Sequence, residues 1–186
     1  MRKPLAHGVI LMVSVLLGGC LGGIDTSSQS SVPAVAQEKK RHSALAVARA
    51  LTRVLGPNGI EVRHIPQSHQ VLVVMNGVQG FPLGQTTLTP VMQASLDKIA
   101  RVLNQVEYSQ VLITGHTDDI GSQSYNAELS RDRARMMLDY LSQRGLPRSH
   151  MLAIGNGKLF PVADNATEAG RAANRRMEIS IQLVPR

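Results

Sequence analysis

The spacing of hydrophobic residues changes several times along the chain, and each change predicts a different element. Apolar residues keep helical spacing from residue 42 to residue 55, where the segment GPNG (56–59) ends the helix. Two β-rich segments follow at 60–65 and 70–75, separated by a turn that contains proline. The second is a continuous apolar run, which predicts a strand buried on both faces.

The second half of the chain alternates helices with strands. A helix is predicted at 90–104, with Thr89 as its N-cap and Pro90 at its first position, and a longer one at 124–144. Buried strands are predicted at 111–113, with Leu112 at the centre, and at 151–154. The last strand, 177–183, alternates apolar and polar residues, so one of its faces contacts water. This order predicts an α/β fold, a sandwich with helices packed on one sheet.

The N-terminus has the pattern of an export signal. Arg2 and Lys3 precede a short apolar run, and small residues lie before Cys20. The run is too short to span a membrane, which needs about 20 apolar residues. The stretch LGGC resembles the bacterial lipobox, whose cysteine is lipidated, and the Leu21 that follows it favours the outer membrane. Cys20 is the single cysteine, so the chain forms no internal disulfide. The alternative to lipidation is an ordinary cleaved signal peptide, which would leave Cys20 as a spare thiol.

These patterns divide the chain into four parts. We predict a signal peptide at 1–19, a lipidated flexible tether rich in serine, glutamine and glycine at 20–41, an N-terminal helix at 42–59 and a globular domain at 60–186.

The amino-acid composition limits the classes of molecule that the protein is expected to bind. The formal net charge of +7 permits anionic partners such as cell-wall polymers or lipids but specifies none. Export, together with an aromatic content of 3%, disfavours nucleic acid, because base stacking needs aromatic side chains. His116 and Asp118 have no second histidine at ligand spacing, and no nucleophile lies beside a general base. We therefore expect no metal, no cofactor and no enzyme activity.

Two charged residues are the candidates for ligand chemistry. Asp118 follows the 111–113 strand in a loop at its carboxyl end, where α/β folds commonly bind ligands. Arg133 lies roughly 90° from the centre of its helix's apolar stripe, at the border of buried and exposed surface, and Arg131 lies on the opposite border. The two charges either pair with each other or form a receptor for a zwitterion. In a receptor, Asp118 would take an ammonium and Arg133 would hold a carboxylate through its planar fork.

Two longer stretches add a family resemblance. GHTDDIGSQSYNAELSRDRAR (115–135) and GNGKLFPVADNATEAGRAANRRMEI (155–179) resemble the OmpA-like peptidoglycan-binding domain shared by OmpA, Pal and flagellar stator proteins of the MotB type. The resemblance covers residues 71 to 184. It implies a βαβαβ…β domain with one mixed sheet. It also implies a ligand, the meso-diaminopimelate of the peptidoglycan stem peptide, whose free end has an ammonium and a carboxylate on one carbon.

The resemblance also assigns residues. It places the family's aspartate on Asp118 and its arginine on Arg133, and it assigns pocket-lining or supporting positions to Thr117, Asn126, Leu129 and Arg175. It gives His116 a structural role, leaves Asn174 and Arg176 as possible anchors of the last strand, and makes Asp164 and Asn165 turn residues. The segment MNGVQGFPLGQTTL (75–88) departs from the family pattern, so the pocket rim near Gly84 is expected to differ.

The expected function is therefore an outer-membrane lipoprotein that faces the periplasm and binds peptidoglycan non-covalently. The alternative is a subunit of an envelope-spanning secretion or motility machine, in which the same domain positions the assembly and contacts other subunits.

Overall fold

The computed structural model describes residues 40, 42–56 and 59–185. They belong to one compact unit, Gln37–Arg186. The predictions for the signal peptide, Cys20 and the tether up to residue 39 lie outside the described residues. The helices are α1 (Ala44–Leu55), α2 (Gly77–Gly80), α3 (Pro90–Leu103), α4 (Gln123–Gln143) and α5 (Glu168–Asn174), and the strands are β1 (Ile60–Ile65), β2 (Gln70–Asn76), β3 (Tyr108–His116), β4 (Met151–Gly157) and β5 (Arg176–Leu183).

The strands form one mixed sheet of five, in the order β1-β2-β5-β3-β4. Only the β3–β4 pair is parallel, and the other three neighbouring pairs are antiparallel. The C-terminal strand β5 thus lies at the centre, between β2 and β3. The sheet confirms the predicted α/β architecture with one mixed sheet.

One face of the sheet forms the hydrophobic core. Val73 pairs with Ile179, and Ile179 pairs with Ile113, so three fully buried side chains lie side by side across the central strands. α1, α3 and α4 cover this face; Leu51, Leu96 and others from these helices are also fully buried. The alternate apolar residues of β5 are buried as predicted, and Thr89 caps α3 as predicted by accepting from the Met92 N–H at 3.2 Å.

Two strand predictions are wrong in the same way. β2 is not buried on both faces, because its residues alternate between buried and half-buried. Leu112 of β3 is also only half-buried; it pairs with Ser180 and Leu152 on the second face of the sheet. α1, α3 and α4 pack against the other face, so apolar residues on this one stay partly in contact with water.

α1 is part of the same core and not a separate N-terminal helix. Val47, Leu51 and Leu55 are buried against the sheet and α3. The predicted domain start at residue 60 therefore lies inside the compact unit. The helix ends as predicted, at Leu55, because Gly56 takes a positive φ of 67° that favours glycine.

α4 lies directly on the ends of β3 and β4. A Cβ added at Gly115 would overlap the backbone of Ser130, and one added at Gly155 would overlap the backbone of Arg131. Only glycine permits this approach, which brings the first half of α4 beside the carboxyl end of β3. No helix within the described residues is both long and apolar enough to cross a membrane.

Candidate functional site

A cleft of about 670 Å³ opens at the carboxyl end of β3. Its walls are residues 77, 78 and 81–84, the loop that joins β3 to α4, the first half of α4, and two residues at the ends of α5, Glu168 and Arg175. The volume lies within the range of about 300–1,000 Å³ that is usual for small-ligand sites.

Asp118 is the acidic side chain at the base of the cleft. It is buried, and its carboxylate is held by two hydrogen bonds. Oδ1 accepts from the backbone N–H of Ile120 at 3.2 Å, and Oδ2 accepts from Nη1 of Arg175 at 2.7 Å. A carboxylate has about four acceptor positions, so these two bonds leave it able to accept from a ligand.

Arg133 is buried, whereas its helix alone predicts a position at the border of buried and exposed surface. The segment after α2 covers it: Nε donates to the Gln85 carbonyl at 2.9 Å and Nη2 donates to the Pro82 carbonyl at 3.2 Å. Its guanidinium carbon also lies 5.1 Å from the centre of the Phe81 ring. This burial lowers the pKa of Arg133 below the usual arginine value, while Tyr125 and Asp118 act to raise it. Arginine nevertheless stays protonated in proteins, and Nη1 makes no hydrogen bond to the described residues.

The two charges do not pair with each other. Arg175 is the ion-pair partner of Asp118, and its Nη2 also donates to Oε1 of Glu168 at 2.6 Å. These hydrogen bonds, to Glu168 first and then to Asp118, raise the pKa of Arg175. Arg175 and then Arg171 in turn lower the pKa of Glu168. The alternative in which Asp118 and Arg133 only neutralise each other is therefore wrong.

The remaining predicted site residues also reach the cleft. Asn126 is buried, and its side-chain amide donates to the Ile120 carbonyl at 2.8 Å, which holds the loop that presents Asp118. Thr117 is fixed by its backbone N–H, which donates to the Gly157 carbonyl at 3.0 Å. Leu129 is half-buried in the apolar wall. All six residues assigned from the sequence thus line one cleft.

Glu168 was missed by the sequence analysis. It lies at the start of α5, seven residues before Arg175, and seven residues are about two helical turns. An acid and a base at this spacing share one helix face, so the spacing could have indicated the pair.

The mouth of the cleft is apolar. Four exposed hydrophobic side chains surround it: Val78, Leu83, Ile120 and Tyr125. Two of them belong to the segment at 75–88 that departs from the family pattern, and this segment forms α2 and the cover of Arg133.

Several charged and polar residues near the cleft stabilise the fold instead. Arg176 donates to Glu178 at 2.7 Å, and the imidazole of His116 lies 3.7 Å from the same carboxylate. The buried Asn174 accepts from the backbone N–H groups of Val162 and Ala163.

The other residues considered from the sequence lie away from the cleft. Asp164 accepts from the Ala166 N–H and closes a turn. Arg131 is exposed and does not line the cleft. Within the described part of the chain, no three histidine, cysteine or acidic residues come together in a way that could hold a metal ion.

Comparisons with known proteins agree with this architecture. Residues 80–175 match the model of the OmpA family. The chain is 34% identical over 134 residues to outer membrane protein A of Bordetella avium, a match that covers 70% of this chain and 69% of that protein. It is 40% identical over 94 residues to the outer-membrane lipoprotein YfiB of Pseudomonas aeruginosa, which covers 50% of this chain and 56% of that one.

A solved structure extends the likeness to three dimensions. The cell wall anchor of the T6SS from Pseudomonas aeruginosa superimposes with a TM-score of 0.65 at 31% identity, covering 74% of this chain and 97% of that one. The family match spans more than half of the 186 residues and contains the cleft's two opposed charges. The chain therefore belongs to the OmpA family.

Proposed function

We propose that this protein binds peptidoglycan non-covalently through the zwitterionic end of meso-diaminopimelate. The observation on which this depends is that Asp118 and Arg133 line one cleft without pairing to each other. Each keeps hydrogen-bonding capacity that the described residues do not use. A ligand with an ammonium and a carboxylate on one carbon matches both groups at once.

The surroundings of the two charges favour such a ligand. Asp118 accepts the ammonium, and Nη1 of Arg133 donates to the carboxylate. Phe81 and Leu129 give the cleft apolar wall that suits the methylene chain of diaminopimelate. Because Arg133 is already held by the Pro82 and Gln85 carbonyls, little side-chain entropy is lost when a ligand binds.

The location proposed for this activity is the periplasmic face of the outer membrane. Cys20 carries the lipid in this proposal, and the segment between it and the compact unit, which begins at residue 37, is the tether. Support comes from the LGGC stretch and from the similarity to the lipoprotein YfiB, whose name places that protein in the outer membrane.

A second candidate function is a subunit of an envelope-spanning machine. The likeness to the T6SS cell wall anchor, which covers nearly all of that chain, favours it. In that role the cleft would still bind the wall, and another surface would contact the other subunits. Co-purification from detergent-solubilised envelopes distinguishes the two, since a stoichiometric complex supports the machine subunit and peptidoglycan alone supports a simple tether.

Pelleting with purified peptidoglycan of the diaminopimelate type tests the proposed function. We expect Asp118→Ala and Arg133→Ala each to abolish pelleting, because truncating one partner of a buried charge pair costs about 2–5 kcal/mol. Arg133→Lys should also bind poorly, since an ammonium cannot donate to the Gln85 and Pro82 carbonyls and to the ligand in the planar geometry of the guanidinium. Arg131→Ala is the matched control, because Arg131 belongs to the same helix but lies outside the cleft.

The melting temperature is measured on the same samples, because Arg133 also holds the segment at 82–85. A folded Arg133→Ala protein that pellets as well as the unaltered protein would refute the proposal.

A further inference from the structure

One guanidinium lies between two carboxylates at the edge of the cleft. Nη1 of Arg175 donates to Asp118 at 2.7 Å, and Nη2 donates to Glu168 at 2.6 Å. The two acids differ in environment: the side chain of Asp118 is 12% exposed and that of Glu168 is 67% exposed. Arg175 therefore connects an acid at the base of the cleft to one at its rim.

This arrangement sets the net charge of the cleft. The described residues that line it include two carboxylates, Asp118 and Glu168, and two guanidiniums, Arg133 and Arg175. The lining is therefore neutral, and the group formed by Asp118, Arg175 and Glu168 has a net charge of −1. Without Glu168, Arg175 would offset Asp118 alone, and the lining would have a net charge of +1.

We propose that Glu168 is a positioning residue that sets the specificity of the cleft for zwitterions. It acts through Arg175: by offsetting that guanidinium, it leaves the charge of Asp118 available to a ligand's ammonium. This inference rests on the proposed function, since it concerns the ligand of the same site. It predicts that Glu168 separates ligands that have both an ammonium and a carboxylate from ligands that have a carboxylate only.

The test compares two probes on the compact unit, residues 37–186. One probe is a stem tripeptide that ends in meso-diaminopimelate, and the other is the same peptide without the amino group at the free end. Dissociation constants are measured by NMR titration up to millimolar peptide, where weak binding still shifts resonances. The quantity of interest is the ratio of the two constants, which does not change if part of a sample is unfolded.

We expect Glu168→Gln to weaken binding of the amine-bearing probe by about two- to fivefold, as for the loss of one solvent-exposed charge near a binding site. Binding of the amine-free probe should stay the same or become tighter, because the lining gains a positive charge. Arg171→Gln is the matched control. It removes the other partner of Glu168 but keeps the Glu168–Arg175 pair, so the ratio should match that of the unaltered protein.

Each outcome separates this inference from the function on which it rests. If the unaltered protein binds the amine-bearing probe and Glu168→Gln leaves the ratio unchanged, the role of Glu168 is refuted and the proposed function stands. An equal loss for both probes would assign Glu168 to the folding of α5 and also overturn the inference. No binding of the amine-bearing probe by the unaltered protein would refute both.

Discussion

Ile113 and Leu112 are neighbours in β3, but they lie on opposite faces of the sheet. Ile113 is fully buried beside Ile179, whereas Leu112 is half-buried on the face opposite α1, α3 and α4. Substituting each by alanine removes about three carbon atoms, so the pair isolates the effect of burial from that of size.

The structure gives different magnitudes for the two changes. For Ile113→Ala, transfer of about three buried carbons costs roughly 2.4 kcal/mol, and the cavity left in the core brings the loss to about 3–4 kcal/mol. For Leu112→Ala the side chain already contacts water and no closed cavity forms, so the loss is about 1 kcal/mol. In a domain of this size each kcal/mol lowers the melting temperature by about 2–4 °C.

Urea unfolding of residues 37–186 measures both losses. A change in the midpoint at constant slope reports stability alone. We expect Ile113→Ala to be less stable than Leu112→Ala by at least about 2 kcal/mol. Equal losses would refute the assignment of faces, because a one-residue shift in register moves every side chain to the opposite face.

Two further predictions concern the anchor and the pH dependence of stability. Cys20→Ser should move the protein from the membrane fraction to the soluble periplasm, and continued sedimentation with outer membrane after wall digestion would contradict lipidation. His116 and Arg176 hold the pKa of Glu178 at about 2, below the value of about 4.3 in an unfolded chain. The stability that Glu178 contributes is therefore present above pH 4.3 and is lost as the pH falls towards 2. Urea unfolding should show a deficit of about 1 kcal/mol for Glu178→Gln at pH 6 that shrinks by pH 3, and a constant deficit would argue against this ion pair.

The sequence predicts those elements whose residue pattern is set by neighbouring positions. The alternation in β5 and the Thr89–Pro90 start of α3 each depend on neighbouring residues, and both appear in the structure as expected. Asp118 and Arg133 could also be placed at one end of the sheet, because a strand, a short loop and a helix determine their positions.

What the sequence does not predict depends on contacts between distant segments. The helical position of Arg133 describes its own helix only, whereas its burial comes from carbonyls about 50 residues earlier in the chain. The pairing of Asp118 with Arg175 joins residues 57 apart, and the central place of β5 depends on strand pairing across the whole domain. An apolar run such as that of β2 likewise does not indicate which face of the sheet is covered by helices.

The hydrogen bonds of Arg133 to the segment at 82–85 allow the side chains of that segment to change by mutation without moving the arginine. Both acceptors are main-chain carbonyls, at Pro82 and Gln85, so the arginine does not depend on which side chains that segment carries. Leu83, between them, points almost entirely into water at the mouth of the cleft. Substitutions at this position can therefore alter the shape and polarity of the mouth while the arginine keeps its geometry. Ligand preference can then change without loss of the charge that is proposed to bind the ligand.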